Sequence, residues 1–200
     1  MKTGIHDPTI VGTQPTSGAA VAASTWSGIW ADEAATASFA SALATSPAMA
    51  HATLALQGDL GAGKTTFVRH LLRALGVRGR IKSPTYAVVE PHTAIDCPLM
   101  PAGEALAIWH FDFYRFNDPR EWEDAGFREL FAARGLKLVE WPERAGDFLP
   151  VMDLIIDIQP DDSLAHPTSN FDMTEHPDEA RRVAIKALTP TGQLLLEVLP

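Results

Sequence analysis

Hydrophobic and polar positions follow two rhythms along this chain, one of period two or unbroken, the other near 3.6, and together they predict alternating strands and helices. Thr53-Leu54-Ala55-Leu56 is a short continuous apolar run that suits a buried strand. Phe67, Leu71, Leu72 and Leu75 then recur at helical spacing, and Gly76 is placed to stop that helix. Ahead of this pair, Ser24 to Trp30 reads as a strand. Asp32 reads as the cap of a helix with Phe39, Ala40 and Leu43 on its apolar face, ended by Pro47. Beyond it, Tyr86 to Glu90 and Ala105 to Phe116 read as strands, separated by an irregular loop from Thr93 to Glu104. Asp118-Pro119 begins a helix that carries Trp122 and ends at Gly126, and Phe127 to Phe131 adds a further turn or two. Leu136 to Trp141 and Val151 to Ile158 read as strands. Arg182 to Leu188 alternates cleanly, and Gly192 turns the chain into Gln193 to Leu199, which predicts a hairpin at one edge of the sheet.

Two stretches lack either rhythm. Met1 to about Ala23 is rich in Thr, Gly, Ala, Ser and Pro and nearly uncharged, and reads as a mobile tail. Gln159 to Glu179 is polar and interrupted by Pro160, Pro167 and Pro177, which predicts a long exposed loop; His166 and His176 within it lack the cysteines and tight spacing of a metal site. Residues 24–200 are thus expected to form one domain, and 46% apolar with 20% charged residues across the 200-residue chain suffices for its core. No apolar run approaches a membrane span, and the first residues lack a signal peptide's apolar segment. The lone cysteine, Cys97, excludes an internal disulfide and fits a reducing cytosol, so a cytoplasmic protein is expected.

The formal charge of −9 argues against indiscriminate binding of nucleic acid by the whole surface. Its distribution is uneven. No acid falls between Asp59 and Glu90, yet Lys64, Arg69, Arg73, Arg78, Arg80 and Lys82 all do, which predicts a basic face and an anionic partner.

That basic stretch opens on the chain's most specific chemistry. Gly58 to Thr65 fits G-x-x-x-x-G-K-[ST], the phosphate-binding loop, and it stands between the predicted buried strand and the predicted helix. Glycines there let backbone N–H groups turn onto phosphate oxygens, and the helix N-terminus adds the positive end of its dipole. Lys64 is the residue to reach the β- and γ-phosphates, and the Thr65 hydroxyl the one to ligate magnesium. Downstream, Ser83 and Thr85 in a proline-stiffened loop stand where such proteins sense the γ-phosphate. Asp112 interrupts the apolar strand read over Ala105 to Phe116 and Glu140 ends the strand before Trp141, and an acid at the C-terminal end of a strand lies where ligands of open α/β sheets gather. On these residues alone either acid could bind the metal, with the other orienting water.

Four separated motifs then carry a resemblance. GDLGAGKTTF (Gly58 to Phe67), SPTY (Ser83 to Tyr86), HFD-x-YR (His110 to Arg115) and VEWPE (Val139 to Glu143), with DPREWEDAGFRELF between the two acids, resemble the TsaE family, formerly YjeE. This is the small bacterial P-loop ATPase family of tRNA threonylcarbamoyladenosine biosynthesis. The likeness runs from about Asp32 to the end and implies a P-loop NTPase-like α/β fold, a mixed central sheet flanked by helices in three layers. It implies ATP or ADP with Mg2+ as cofactor, TsaB and TsaD as partners, tRNA reached through that complex, and no membrane. Carried over by motif, Lys64 and the loop of Asp59, Gly61, Ala62 and Gly63 hold phosphates, and Thr66 lies beside the nucleotide. Thr65 and Glu140 hold magnesium, and Asp112 orients or activates the attacking water. Ser83 and Thr85 belong to a switch, Trp141 to the wall of the site, and Glu33 and Arg181 lie close to the nucleoside. The tail, the loop from Thr93 to Glu104 and the loop around Asp161 to Glu175 are longer than the family pattern, and none interrupts a motif.

The expected activity is a weak ATPase that partner proteins activate, because no arginine finger is evident. Two other readings share the loop: a small-molecule kinase, which needs an arginine-bearing lid, and a nucleotide-gated binding module without useful hydrolysis. No N-K-x-D segment follows the loop, which disfavours a GTPase.

Overall fold

A computed structural model describes residues 24–161 and 180–199 of the chain. The expected tail over 1–23, most of the expected loop over 159–179, and His166 and His176 lie outside these residues. The elements in order are β1 (Ser24–Trp30), α1 (Glu33–Leu43), β2 (Thr53–Gln57), α2 (Lys64–Ala74), β3 (Val89–Ala94), β4 (Leu106–Asp112), α3 (Glu121–Asp124), α4 (Phe127–Ala132), β5 (Leu136–Glu140), β6 (Leu154–Pro160), β7 (Arg181–Ala187) and α5 (Pro190–Leu196). Short 3-10 helices at Pro47–His51 and Pro142–Phe148 complete the set.

The seven strands of the described residues join one mixed sheet in the order β1-β7-β6-β2-β5-β4-β3. Its centre, β6-β2-β5-β4, is parallel, while β7, β1 and β3 run antiparallel to their neighbours. Central β2 has a partner on each side and is covered above and below, hence its unbroken apolar run. Strand alternation divides the core in two. Leu54, Leu56, Leu138 and Ile156 face α1 and α2, where Phe39, Leu43, Phe67 and Leu71 meet them; Ala55 and Val139 face the other way, toward Phe111, Phe113, Phe127 and Trp122. Each fully buried Leu or Phe adds about 1.5–3 kcal/mol of transfer free energy. The two layers hold the sheet, and thereby the strand ends, in place.

Several boundaries differ from the sequence reading. The segment Gln193 to Leu199 is not a hairpin strand. It belongs largely to helix α5, whose cap Thr189 accepts a hydrogen bond from the Gly192 N–H with Pro190 in the first turn, and which packs Leu195 into the core. The clean alternation over 182–188 is real, but β7 lies inside the sheet, between β1 and β6. Residues Tyr86 to Val88 form turns, and the strand expected there begins only at Val89 and runs on to Ala94. Helix α1 stops at Leu43, and Pro47 starts the 3-10 helix instead of ending α1. Asp112 ends β4 instead of interrupting it. Among the described residues no helix is long and apolar enough to cross a membrane.

Candidate functional site

Strand register assembles the site. In the parallel pairing of β2 with β5, Leu56 lies opposite Glu140, and in that of β4 with β5, Asp112 lies opposite Glu140. Three neighbouring strands therefore end at one level. There β2 releases the glycine loop, and β4 and β5 each present a carboxylate, at 3% and 2% exposure.

The loop's course depends on residues without a side chain. Gly58 has φ of +126°, and a Cβ there would stand 2.1 Å from the Ile158 carbonyl oxygen. Gly63, at φ +106°, immediately precedes α2, and its carbonyl accepts the Phe67 N–H at 2.9 Å to open the helix. The first amides of α2 are left facing the cleft, as an anion site requires.

Lys64, the first residue of α2, folds back over the loop. Its Nζ donates to the carbonyls of Gly58 (2.6 Å) and Asp59 (2.8 Å) and sits 4.0 Å from the centre of the Trp141 ring. Burial lowers its pKa below the usual lysine value of 10.5, against the opposing pull of Glu140, Glu143, Asp112 and Asp59. Trp141 holds that position with φ of +57°, a left-handed conformation uncommon in a bulky residue, and its ring also meets Tyr114 at 5.1 Å between centroids.

The two acids have distinct surroundings. Glu140 accepts from the Thr65 hydroxyl at 2.9 Å on each carboxylate oxygen, and its Oε1 lies 2.8 Å from His110 Nε2. Asp112 accepts from the Ser83 hydroxyl (2.9 Å), the Thr85 hydroxyl (2.6 Å) and the Tyr114 N–H (3.0 Å). The proline-stiffened loop is thereby tied to the end of β4. Both hydroxyls of that loop also meet each other, at 2.7 Å. The turn back into β3 puts Val88 at φ +67°, with its N–H on the Pro84 carbonyl and its carbonyl on the Asp112 N–H. A β-branched residue at positive φ is strained, so this segment is held by its tethers.

These groups enclose a cleft of about 220 Å³. Gly61, Gly63, Lys64, Thr65 and Thr66 line its loop side, and Ser83, Thr85, Asp112, Glu140 and Trp141 line the opposite side. Asp59 and Ala62 belong to the loop itself. Arg181 grips the loop from β7, its Nε donating to the Ala62 carbonyl at 3.0 Å. Glu33 does not line the cleft; it pairs with His70 on the flank of α2 at 2.9 Å. Arg78 and Arg73 of the basic stretch are engaged locally, with Asp96 and with the Val77 carbonyl.

The sequence reading gave His110 no role of its own. A signal was present: His110 and Asp112 stand two apart in an apolar strand, and so share the face that carries Leu106 and Ile108. His92 on β3 stacks on His110 at 6.4 Å between centroids, and its pKa is lowered by burial first and by His110 second.

The donor set suits a hard divalent cation beside phosphate. Thr65 offers a hydroxyl and Glu140 a carboxylate, both oxygen ligands, next to amides and an ammonium group that suit phosphate oxygens. Among the described residues no three His, Cys, Asp or Glu side chains come together as an all-protein cage. Magnesium in such sites takes only one or two carboxylates, completing its shell with phosphate and water.

Known proteins resemble this chain in sequence and in fold. Residues 30–167 match the family described as "Threonylcarbamoyl adenosine biosynthesis protein TsaE". The chain is 36% identical over 141 residues to the tRNA threonylcarbamoyladenosine biosynthesis protein TsaE of Haemophilus influenzae, covering 70% of this chain and 73% of that one. It is 37% identical over 97 residues to the protein of the same name from Bacillus subtilis, covering 48% of this chain and 54% of that one. The crystal structure of Bacillus subtilis YdiB superposes with a TM-score of 0.61 at 24% identity, over 88% of this chain and 93% of that one, which bears on the fold alone.

Proposed function

The chain belongs to the TsaE family of tRNA threonylcarbamoyladenosine biosynthesis, and on that premise we propose that it binds ATP with magnesium and hydrolyses it to drive or reset a complex with TsaB and TsaD. The observation that supports this is the meeting of Lys64, Thr65, Asp112 and Glu140 in one cleft beneath the glycine loop.

The roles follow from what each group touches. The loop amides and the N-terminus of α2 receive the phosphates. Lys64 exchanges its two loop carbonyls for β- and γ-phosphate oxygens, so its charge moves from a parked position to the reacting one. Thr65 and Glu140 would hold magnesium, which supplies neutralisation of phosphate charge. Asp112, held by the Ser83 and Thr85 hydroxyls and the Tyr114 amide, orients the attacking water. The arrival of the γ-phosphate gives those hydroxyls a second acceptor, which makes the Ser83–Thr85 loop a sensor of nucleotide state.

Among the described residues, none that lines the cleft is an arginine. The charge developing on the transferred phosphoryl would then be met by Lys64, the loop amides and the metal that Thr65 and Glu140 would hold, and an arginine supplied from outside typically adds about 10³-fold or more. Slow turnover by the isolated chain and acceleration by the TsaB–TsaD pair are the consequence. The test is ATP turnover measured for the chain alone, with TsaB–TsaD, and with TsaB–TsaD plus tRNA. Equal rates in all three would remove the proposed partner activation, and absence of calorimetric heat with both ATP and ADP would remove the nucleotide.

A further inference from the structure

We propose that His110 is a positioning residue that fixes the Glu140 carboxylate in its metal-holding orientation; the inference rests on the reading that Thr65 and Glu140 hold magnesium. His110 is fully buried on β4, and its Nε2 lies 2.8 Å from Glu140 Oε1. Glu140, itself buried, has two hydrogen-bonding side chains among the described residues, Thr65 and His110. A carboxylate accepts, so the ring nitrogen facing it donates, and the neutral ring is then the tautomer protonated at Nε2. Nδ1 is left as a bare acceptor, and it is buried without a partner among the described residues.

That orphaned nitrogen is the telling feature. If this position served packing alone, an aliphatic side chain would fill it without cost, as Leu106 and Ile108 do on the same face of β4. A histidine there leaves one buried polar atom unsatisfied, an unfavourable arrangement, in order to place the other against Glu140. The Thr65 hydroxyl now bonded to both oxygens of Glu140 is also the hydroxyl proposed to face the metal. When it does so, His110 remains as the hydrogen bond that sets the rotation of the carboxylate. Partners of this kind orient a metal-binding group and raise its affinity, and their loss typically costs about 10–100-fold in metal binding.

The test is calorimetric titration of MgCl2 into the full chain saturated with ADP, for wild type, His110→Leu, His110→Gln and Glu140→Gln, with thermal melts confirming that each is folded. His110→Leu should weaken magnesium binding about tenfold or more while leaving metal-free ADP affinity within about twofold. His110→Gln, whose amide nitrogen falls where Nε2 stands, should recover most of the loss. Wild-type magnesium affinity in folded His110→Leu overturns the proposal. Should that variant not fold, His110→Gln and His110→Asn decide it: Asn does not reach Glu140, and equal affinities for the two overturn the positioning role. Glu140→Gln separates this from the parent reading. If it too binds magnesium as wild type does, the assignment of Glu140 to the metal fails; if it weakens binding and His110→Leu does not, only the role of His110 fails.

Discussion

The Thr85 hydroxyl donates to the Asp112 carboxylate across 2.6 Å, joining a turn residue to the end of a strand 27 positions later. Asp112 is 3% exposed, and among the described residues its donors come from the Ser83–Thr85 loop and its own turn, whereas Glu140 is bonded to Thr65 and His110. This division is what the proposed water-orienting role of Asp112 is built on. Asp112→Asn should lower turnover about a hundredfold or more with nucleotide affinity nearly unchanged, and Thr85→Val should fall between it and wild type. Steady-state ATP hydrolysis beside ADP titration checks both, and a loss of affinity that matched the loss of rate would contradict the assignment.

Lys64 predicts a pH dependence. Burial lowers its pKa in the nucleotide-free protein, and bound phosphate stabilises the ammonium and raises the pKa again. The bound state thus holds more protons than the free state wherever free Lys64 has begun to lose its own. Metal-free ADP affinity should be flat near neutrality and fall toward about tenfold per pH unit as pH rises through the free-state pKa. The onset should come below 10.5, the ordinary lysine value. Lys64→Ala should bind weakly and show no such fall; an onset at or above the ordinary value would contradict the buried, parked lysine.

The glycines of the loop separate collision from conformation. Gly58→Ala drives a methyl to 2.1 Å from the Ile158 carbonyl, and Gly63→Ala meets nothing nearer than Arg181 Nε at 3.9 Å, though both have positive φ. Gly58→Ala should lose about 3 kcal/mol or more of stability and Gly63→Ala about 1–2 kcal/mol. Urea denaturation without nucleotide measures the difference, and equal losses would show that backbone conformation alone requires glycine at both positions.

Phe67 ties α2 to the first strand and helix. It is fully buried, stacked on Trp30 at 5.5 Å and tilted against Phe39 at 6.2 Å. Phe67→Ala should cost about 3–5 kcal/mol in chemical denaturation. A cost under about 1 kcal/mol would mean that this aromatic cluster can collapse around the vacancy.

Much of the site was legible because its residues stand where local rules are strong. The run TLAL must be buried on both faces, the spacing of Phe67, Leu71 and Leu72 belongs to a helix, and a glycine loop between them has one geometry. Glu140 could be placed at a strand end because it breaks an apolar run, whereas Asp112 reads as interrupting a longer run and the structure ends β4 at it. What could not be read was tertiary. Gln193 to Leu199 is an apolar run that suits strand or helix equally, and the capping pair Thr189-Pro190, which favours the helix, directly follows an alternating strand that suggests a hairpin. Tyr86 to Val88 are drawn out of the strand by the Val88 turn, with Ser83 and Thr85 bonding to Asp112, a partner distant in sequence. Glu33 meets His70, and that pairing of residues 37 positions apart carries no mark in the sequence.

The place of β7 has a consequence for how the molecule is made. Among the described residues β1 has a single neighbour in the sheet, β7, and of the described strands β7 is the latest in chain order and so the latest of them to leave the ribosome. Until then β1 lacks the partner it has in the sheet, and Arg181 is not there to grip the Ala62 carbonyl. The parallel centre can condense during synthesis, but closure of the edge and bracing of the phosphate loop wait for a contact of very long sequence separation. A nascent chain halted before Arg181 therefore carries every residue of the cleft and lacks the clasp that secures it.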